Sequence, residues 1–138
     1  MMARFHFAFF VEDLDATRRF YGDVLGCKEG RSTDAWVDFD FFGHQISCHN
    51  TGTPVPTTNA GKVDGVGVPM PHFGAVLEWE QFEQVAGRIR KAGITFIIEP
   101  RGRYEGQPGE QRTMFLVDPG GNALEFKTFK HPEHIFTA

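Results

Sequence analysis

The chain carries the same order of predicted elements twice, and this duplication constrains its fold more than any other feature. FHFAFFV, a short apolar strand, opens the first half and is followed by a helix and three further strands; PHFGAVLEW starts the same order again in the second half. A half of this size exposes one face of a small sheet and cannot bury it alone. The repeat therefore predicts two equivalent halves that bury their sheet faces together.

Local signals place one helix in each half. Asp13 or Asp15 is suited to begin the first helix, and Gly26 is placed to end it in a left-handed conformation. Gly93 has the same position after the second helix. The apolar residues recur at helical spacing in both, at Ala16, Phe20 and Val24 in the first and at Phe82, Val85, Ala86 and Ile89 in the second.

Three strands are predicted after each helix, and one segment separates the halves. The strands cover about 27–30, 36–42 and 44–49 in the first half and 94–99, 112–117 and 122–129 in the second. Residues 51–71 are rich in proline and glycine and have little periodicity, which is typical of a linker or a long surface loop. The sequence thus predicts one domain with a first module at about 3–50, a second at about 72–130 and a tail at 131–138.

The repeat places two histidines and a carboxylate at positions where a metal site is expected. His6 and His72 occupy the same position near the start of each copy, and aligning the last strands on their glycines sets Ser47 against Glu125. A carboxylate on an otherwise apolar strand needs a cation or a strong donor. Taken singly, each histidine is more typical of a hydrogen-bonded strand end, and Glu125 has an alternative partner in Lys127.

Taken together, His6, His72 and Glu125 predict a metal centre with open coordination positions. Two imidazoles and one carboxylate suit Fe(II) in enzymes that use dioxygen, and also Mn(II), Ni(II) or Zn(II). Water or a bidentate substrate would complete the coordination shell.

Three stretches resemble the vicinal oxygen chelate superfamily, which includes glyoxalases, bleomycin-resistance proteins and extradiol dioxygenases: HFAFFVEDLDATRRFYGDVLG, PHFGAVLEW with IRKAGI, and FLVDPGGNALEFK. WVDFDFFGHQ and EGQPGEQRTMFLVDPGGNALEFK are most similar to the small predicted members of the extradiol dioxygenase group. The resemblance covers nearly the whole chain. It implies an α+β fold in which two βαβββ modules form an open barrel-like mixed sheet around a metal-binding cavity, with metal ligands at the positions of His6, His72 and Glu125.

Departures from the family pattern bear on the reaction. Glyoxalases of this superfamily use a fourth ligand where this chain has Ser47, a poor metal donor; Gln45 would replace it only with a register shift of two residues. Extradiol enzymes need an acid/base near the metal. His49 shares the inward face with Ser47 and is the predicted acid/base, with a solvent-facing strand end as the alternative. His44 has the opposite parity and is expected at the turn.

The glycine-rich connection at 101–112 is a further candidate for substrate contacts, because long ordered loops in compact domains are often functional. Tyr104 is predicted to donate a hydrogen bond to a substrate oxygen, and Arg101, Arg103 and Arg112 are candidates for holding an anionic group. The alternative is a solvated loop that carries ordinary charges.

Composition excludes several classes of partner. A net charge of −4 provides no basic face for nucleic acid, and no apolar run is long enough to cross a bilayer. The start becomes acidic too quickly for a signal peptide, and Cys27 and Cys48 are expected as reduced core thiols, so the predicted compartment is the cytoplasm.

The sequence thus predicts a metal-dependent dioxygenase of the extradiol type that acts on a small aromatic diol with dioxygen. A homodimer is expected, with the modules pairing either within one chain or across the dimer. The alternatives are a non-oxidative metalloenzyme of the glyoxalase class (an isomerase, lyase or transferase) and a metal-free protein that binds a small molecule.

Overall fold

The computed structural model describes residues 2–56 and 61–137, and these form two compact units. The first unit contains residues 2–56 and Asp118–Asn122, and the second contains the rest of the described chain. The strands of the first unit are β1 (His6–Val11), β2 (Lys28–Ser32), β3 (Trp36–Phe41) and β4 (His44–Asn50). Those of the second are β5 (Gly61–Val63), β6 (Val66–Val68), β7 (Phe73–Leu77), β8 (Ile98–Arg103), β9 (Gln111–Val117) and β10 (Ala123–Phe129).

Each unit contains one four-stranded mixed sheet with the same topology. The strand order is β1-β4-β3-β2 in the first sheet and β7-β10-β9-β8 in the second. In both sheets the first strand runs parallel to the last strand of its module, and the other pairings are antiparallel. The predicted duplication and the α+β fold class are therefore confirmed.

The first helix differs from its prediction. It begins as α1 (Leu14–Thr17), capped by the Asp13 side chain, and continues as a π-helical segment, Arg18–Val24. The wider π turn changes which side chains face the sheet. Of the predicted stripe of Ala16, Phe20 and Val24, only Phe20 is buried; the buried positions are Leu14, Thr17, Phe20, Tyr21 and Leu25. Gly26 ends the helix with a positive φ, as predicted.

The second helix, α2 (Trp79–Lys91), confirms its prediction. The four predicted apolar positions, Phe82, Val85, Ala86 and Ile89, are fully buried. Gly93 follows with a positive φ. Arg112 lies in β9, which agrees with the strand predicted at 112–117 and not with a position on the 101–112 connection. It packs over the Phe82 ring and forms an ion pair with Glu83, so it contacts α2.

The strand after α2 lies four residues later than predicted. It covers Ile98–Arg103, and the register against β9 shifts between Ile98 and Arg101. Pro100 lies in this irregular stretch, which accommodates a residue without a backbone N–H. Because the strand continues through Arg103, the connection to β9 is only residues 104–110.

The predicted linker 51–71 contains regular structure. The strands β5 and β6 pair as a short antiparallel hairpin within the second unit. Residues 57–60 of the linker lie outside the described residues. No helix in the described part of the chain combines the length and apolar character needed to cross a membrane.

A buried polar network holds the β9–β10 turn in the first unit. The Tyr21 hydroxyl donates to Asp118 Oδ2 at 2.8 Å, and the backbone N–H groups of Gly120 and Asn122 donate to Asp118 Oδ1. Burial raises the pKa of Asp118, although these hydrogen bonds oppose the shift. Burial also raises the pKa values of Tyr21 and of the Cys48 thiol. All three groups are buried among the described residues of the first unit.

Candidate metal-binding site

The pairing registers support the alignment of the two halves. Ala8, two residues after His6, pairs with Ser47 across β1 and β4. Gly74, two residues after His72, pairs with Glu125 across β7 and β10. Ser47 therefore occupies in the first unit the position that Glu125 occupies in the second. No register shift places Gln45 there.

The second unit brings His72 and Glu125 together. The His72 Nε2 atom lies 3.3 Å from Glu125 Oε1, and both side chains are largely buried. The other carboxylate oxygen accepts a 2.6 Å hydrogen bond from the Thr113 hydroxyl and lies 3.9 Å from Lys127 Nζ. The two residues line a cavity of about 220 Å³ together with Gly74, Val76 and Lys127.

The His72 ring is held between a backbone carbonyl and the Glu125 carboxylate. Its Nδ1 lies 2.8 Å from the carbonyl oxygen of Pro69, and its ring contacts Phe115 edge-on. A carbonyl oxygen only accepts hydrogen bonds, so Nδ1 must carry a proton. In the neutral ring Nε2 then has a lone pair that points at a carboxylate oxygen. A cation between these two acceptors would satisfy both.

In the first unit the His6 side chain belongs to a row of hydrogen-bonded side chains. His6 Nδ1 lies 2.7 Å from Gln45 Oε1, and Gln45 Nε2 donates to Asp38 Oδ2 at 3.3 Å. The three side chains come from β1, β4 and β3. His6 as a whole residue is exposed.

The donor set fits a divalent metal, although a complete site is not assembled among the described residues. No group of three His, Cys, Asp or Glu side chains there is close enough to hold a metal. His72 and Glu125 form a pair in the second unit, and His6 belongs to the first unit with partners of its own. In both histidines Nδ1 is engaged and Nε2 is presented, which is the arrangement of metal-ligating imidazoles.

The predicted acid/base, His49, lies on the His6 face of the first sheet. Its Nε2 is 3.1 Å from the Ser47 hydroxyl, and its ring is tilted against Trp36. It pairs with Phe10 on β1, a side chain that is 61% exposed. His44 points the other way, and its Nδ1 accepts from the backbone N–H of Phe5. His49 and His44 therefore lie on opposite faces of the first sheet, as their spacing along β4 predicted.

The predicted substrate-binding tyrosine lies on the 104–110 connection of the second unit. Tyr104 is half exposed with a φ of 56°. Its hydroxyl accepts from Arg103, whose guanidinium also stacks over the ring. Arg101 and Arg103 both contact Asp64 in the β5–β6 hairpin, so this carboxylate already compensates part of their charge.

Two polar residues near the candidate ligands, Thr113 and Asp38, were not predicted from the sequence, whereas Lys127 was predicted as a possible partner of Glu125. Thr113 and Lys127 contact Glu125, and Asp38 contacts Gln45. A signal for Asp38 exists in the alternation of WVDFDFF, in which Val37 and Phe39 are buried and the aspartates take the opposite face. Thr113 carried no such signal, because its contact with Glu125 depends on the pairing of β9 with β10.

Comparison with known proteins agrees with this architecture. Residues 4–126 match the sequence model of the Glyoxalase/Bleomycin resistance protein/Dioxygenase superfamily. A glyoxalase/bleomycin resistance protein/dioxygenase from Alicyclobacillus acidocaldarius is 30% identical, with a TM-score of 0.79 over 97% of this chain and 96% of that chain. The fosfomycin resistance protein FosX from Listeria monocytogenes is 18% identical, with a TM-score of 0.72 over 98% and 99% of the two chains. A glyoxalase/dioxygenase from Nostoc punctiforme is 17% identical, with a TM-score of 0.69 over 91% and 90%.

Proposed function

Because the chain belongs to the Glyoxalase/Bleomycin resistance protein/Dioxygenase superfamily, we propose that it is a metal-dependent dioxygenase of the extradiol type. In this proposal His6, His72 and Glu125 hold one divalent metal, Fe(II) in the native protein. The site forms within one chain or between two copies. The substrate is a small aromatic diol whose vicinal oxygens chelate the metal, and dioxygen is the second substrate.

One observation supports the proposal: the hydrogen bonds of the three candidate ligands leave ring nitrogens and one carboxylate oxygen for a metal. Both imidazoles engage Nδ1 with an acceptor and present Nε2, and Glu125 turns one oxygen toward His72 while Thr113 holds the other. A buried carboxylate and an imidazole lone pair facing each other are unfavourable unless a proton or a metal lies between them. The absence of a carboxylate at Ser47 leaves three protein ligands, which favours a site that binds two exchangeable oxygen ligands.

The remaining polar groups have roles consistent with a diol substrate. Bound Fe(II) would supply Lewis acidity and transfer electrons between diol and dioxygen. Lys127 would stabilise the negative charge of the ionised diol, because its ammonium lies beside Glu125 in the same cavity. His49 would accept a proton from the substrate and return it, and the Tyr104 hydroxyl would donate to a substrate oxygen.

The proposal is tested first by metal content. After anaerobic loading with Fe(II), elemental analysis of the wild type should give close to one metal for each chain, and Glu125→Ala should lose it. Loaded protein should then consume dioxygen and a catechol in equal amounts and form a ring-opened product. A fully loaded protein that turns over no catechol from a broad panel would contradict the dioxygenase proposal.

A second candidate is a non-oxidative metalloenzyme of the glyoxalase class, and Asp38 favours it. This carboxylate lies on the His6 face next to Ser47, so the first unit contains an acidic group beside the position that lacks the fourth ligand. An isomerase or lyase would use it to move a proton at a carbon next to a carbonyl. Turnover under strictly anaerobic conditions would support this candidate over the dioxygenase.

We also propose that the protein is a homodimer. Among the described residues, β1 and β7 each pair with one strand and lie at a sheet edge. Phe5 and Phe10 on or beside β1 are more than half exposed, and Val76 on β7 is nearly so. Exposed edges with large apolar side chains favour association. A second copy of this chain, which presents the same edges, is the occupant we propose.

A further inference from the structure

We infer that Gln45 and Asp38 are positioning residues that hold the His6 ring in the tautomer whose Nε2 binds a metal. The part that concerns the metal rests on the proposed function. The part that concerns the tautomer rests only on three side chains of the first sheet, so the two can be tested separately.

Donor and acceptor chemistry determines the direction of each hydrogen bond. The Asp38 carboxylate only accepts, so Gln45 must turn its amide nitrogen to Asp38, at 3.3 Å, and its carbonyl oxygen to His6. The amide oxygen also only accepts, so the proton of the 2.7 Å bond lies on His6 Nδ1. A neutral imidazole has one ring proton, and therefore Nε2 of His6 has its lone pair available.

Asp38 allows only one of the two orientations of the Gln45 amide. A glutamine alone fits either way round, because its oxygen and nitrogen have similar shapes. Flipping the amide would place its oxygen against the carboxylate and its NH₂ against His6, which would select the opposite tautomer. The Asp38 carboxylate excludes that orientation of the amide. Its negative charge also polarises the hydrogen bonds from Asp38 through Gln45 to His6, which makes His6 Nε2 a stronger metal ligand.

Asp38 is retained at a cost in stability. Its other oxygen, Oδ1, is buried and has no hydrogen-bond partner within the part of the chain that the structure describes. An unsatisfied buried carboxylate oxygen is unfavourable for folding. A role in orienting Gln45 gives a reason for a charged group at this place.

The second unit reaches the same tautomer by a different route. The position equivalent to Gln45 is Ala123, which has no polar side chain, and His72 Nδ1 instead bonds to the backbone carbonyl of Pro69. Both histidines thus present Nε2, although their partners are unrelated. Two independent solutions to one orientation support selection for the orientation itself.

The test compares Gln45→Met with a variant that reverses the donor and acceptor. Gln45→Met has similar volume and no hydrogen-bonding group, so it releases His6. In the double variant Gln45→Glu with Asp38→Asn, the carboxylate accepts from both neighbours, so His6 keeps an acceptor and the net charge is unchanged. Circular dichroism and thermal denaturation check that each variant folds.

Two readouts are measured. Long-range proton–nitrogen NMR of the metal-free protein reports the His6 tautomer: we expect Nδ1–H in the wild type and the double variant, and a mixture in Gln45→Met. Titration with Co(II) should show affinity about 10–100-fold weaker for Gln45→Met and restored in the double variant.

An unchanged His6 tautomer in folded Gln45→Met would overturn the inference, as would a folded double variant that fails to restore the tautomer. If the tautomer responds as expected but wild-type protein binds no metal, the proposed function fails and the positioning role of Gln45 and Asp38 is upheld.

Discussion

Thr113→Val tests how Glu125 is held in the candidate site. Thr113 is fully buried, and its hydroxyl donates a 2.6 Å hydrogen bond to Glu125, whose side chain is only 12% exposed. Valine has nearly the same shape, so the substitution removes this charge-assisted bond and little packing. A buried hydrogen bond to a charged group contributes about 1.5–3 kcal/mol. We expect the free energy of unfolding to fall by that amount.

The size of the effect in a melting experiment follows from chain length. At about 2.1 cal/mol/K per residue, 138 residues have an unfolding entropy of about 0.29 kcal/mol/K. The melting temperature of metal-free Thr113→Val should therefore fall by about 5–10 °C, and its metal affinity by about 10–100-fold because the carboxylate loses its orientation. Thr113→Ser, which keeps the hydroxyl, should recover most of the metal affinity.

The chain contains a matched control in Thr128. This threonine is also fully buried, but its hydroxyl has no hydrogen-bond partner in the described structure. Thr128→Val removes an unsatisfied group and should leave the melting temperature equal or higher, with unchanged metal affinity. Equal melting temperatures for Thr113→Val and Thr128→Val would refute the reasoning, because burial alone would then explain both.

Further predictions concern stability, charge and assembly. Gly74→Ala should lower the free energy of unfolding by about 2–4 kcal/mol in a denaturant titration, because the added Cβ would overlap the Glu125 carbonyl oxygen. Gly87 has open space around it, so Gly87→Ala should raise the free energy of unfolding by about 0.5–1 kcal/mol. Equal effects of the two substitutions would contradict this reasoning. Burial raises the pKa of Asp118 in the folded state, so ionisation of this carboxyl opposes folding. The free energy of unfolding of the wild type should therefore fall relative to that of Asp118→Asn as pH rises from about 4 through the folded pKa. A difference in unfolding free energy that does not vary with pH would contradict the raised pKa. Lys127→Met removes a positive charge beside Glu125, so the variant should bind a divalent metal about three- to tenfold more tightly and an ionised diol more weakly. If the affinities for the metal and for the diol change in the same direction, Lys127 does not stabilise the charge of the diol. Light scattering should give the mass of two 15.5 kDa chains, and a monomer at micromolar concentration would contradict the dimer.

Local patterns predicted much of the fold. The apolar alternation of β3 and the helical spacing of α2 placed those elements and their buried faces, and Gly26 and Gly93 end the helices as predicted. These signals act over a few residues, because the period of side-chain burial follows from backbone geometry. The errors arose where backbone geometry departed from a regular period, at the π-helical segment after α1 and at the irregular stretch around Pro100.

The sequence by itself determined that two equivalent modules exist and that His6, His72 and Glu125 are their candidate metal ligands, since equivalent positions can be aligned without knowing any contact. It did not determine what surrounds them. The partners of the two histidines, Gln45 and the Pro69 carbonyl, and the Thr113 hydroxyl that holds Glu125 were decided by tertiary structure. The physical reason is that such bonds form across strands, or around a loop, over a few ångströms, and strand register depends on how the whole sheet buries its side chains.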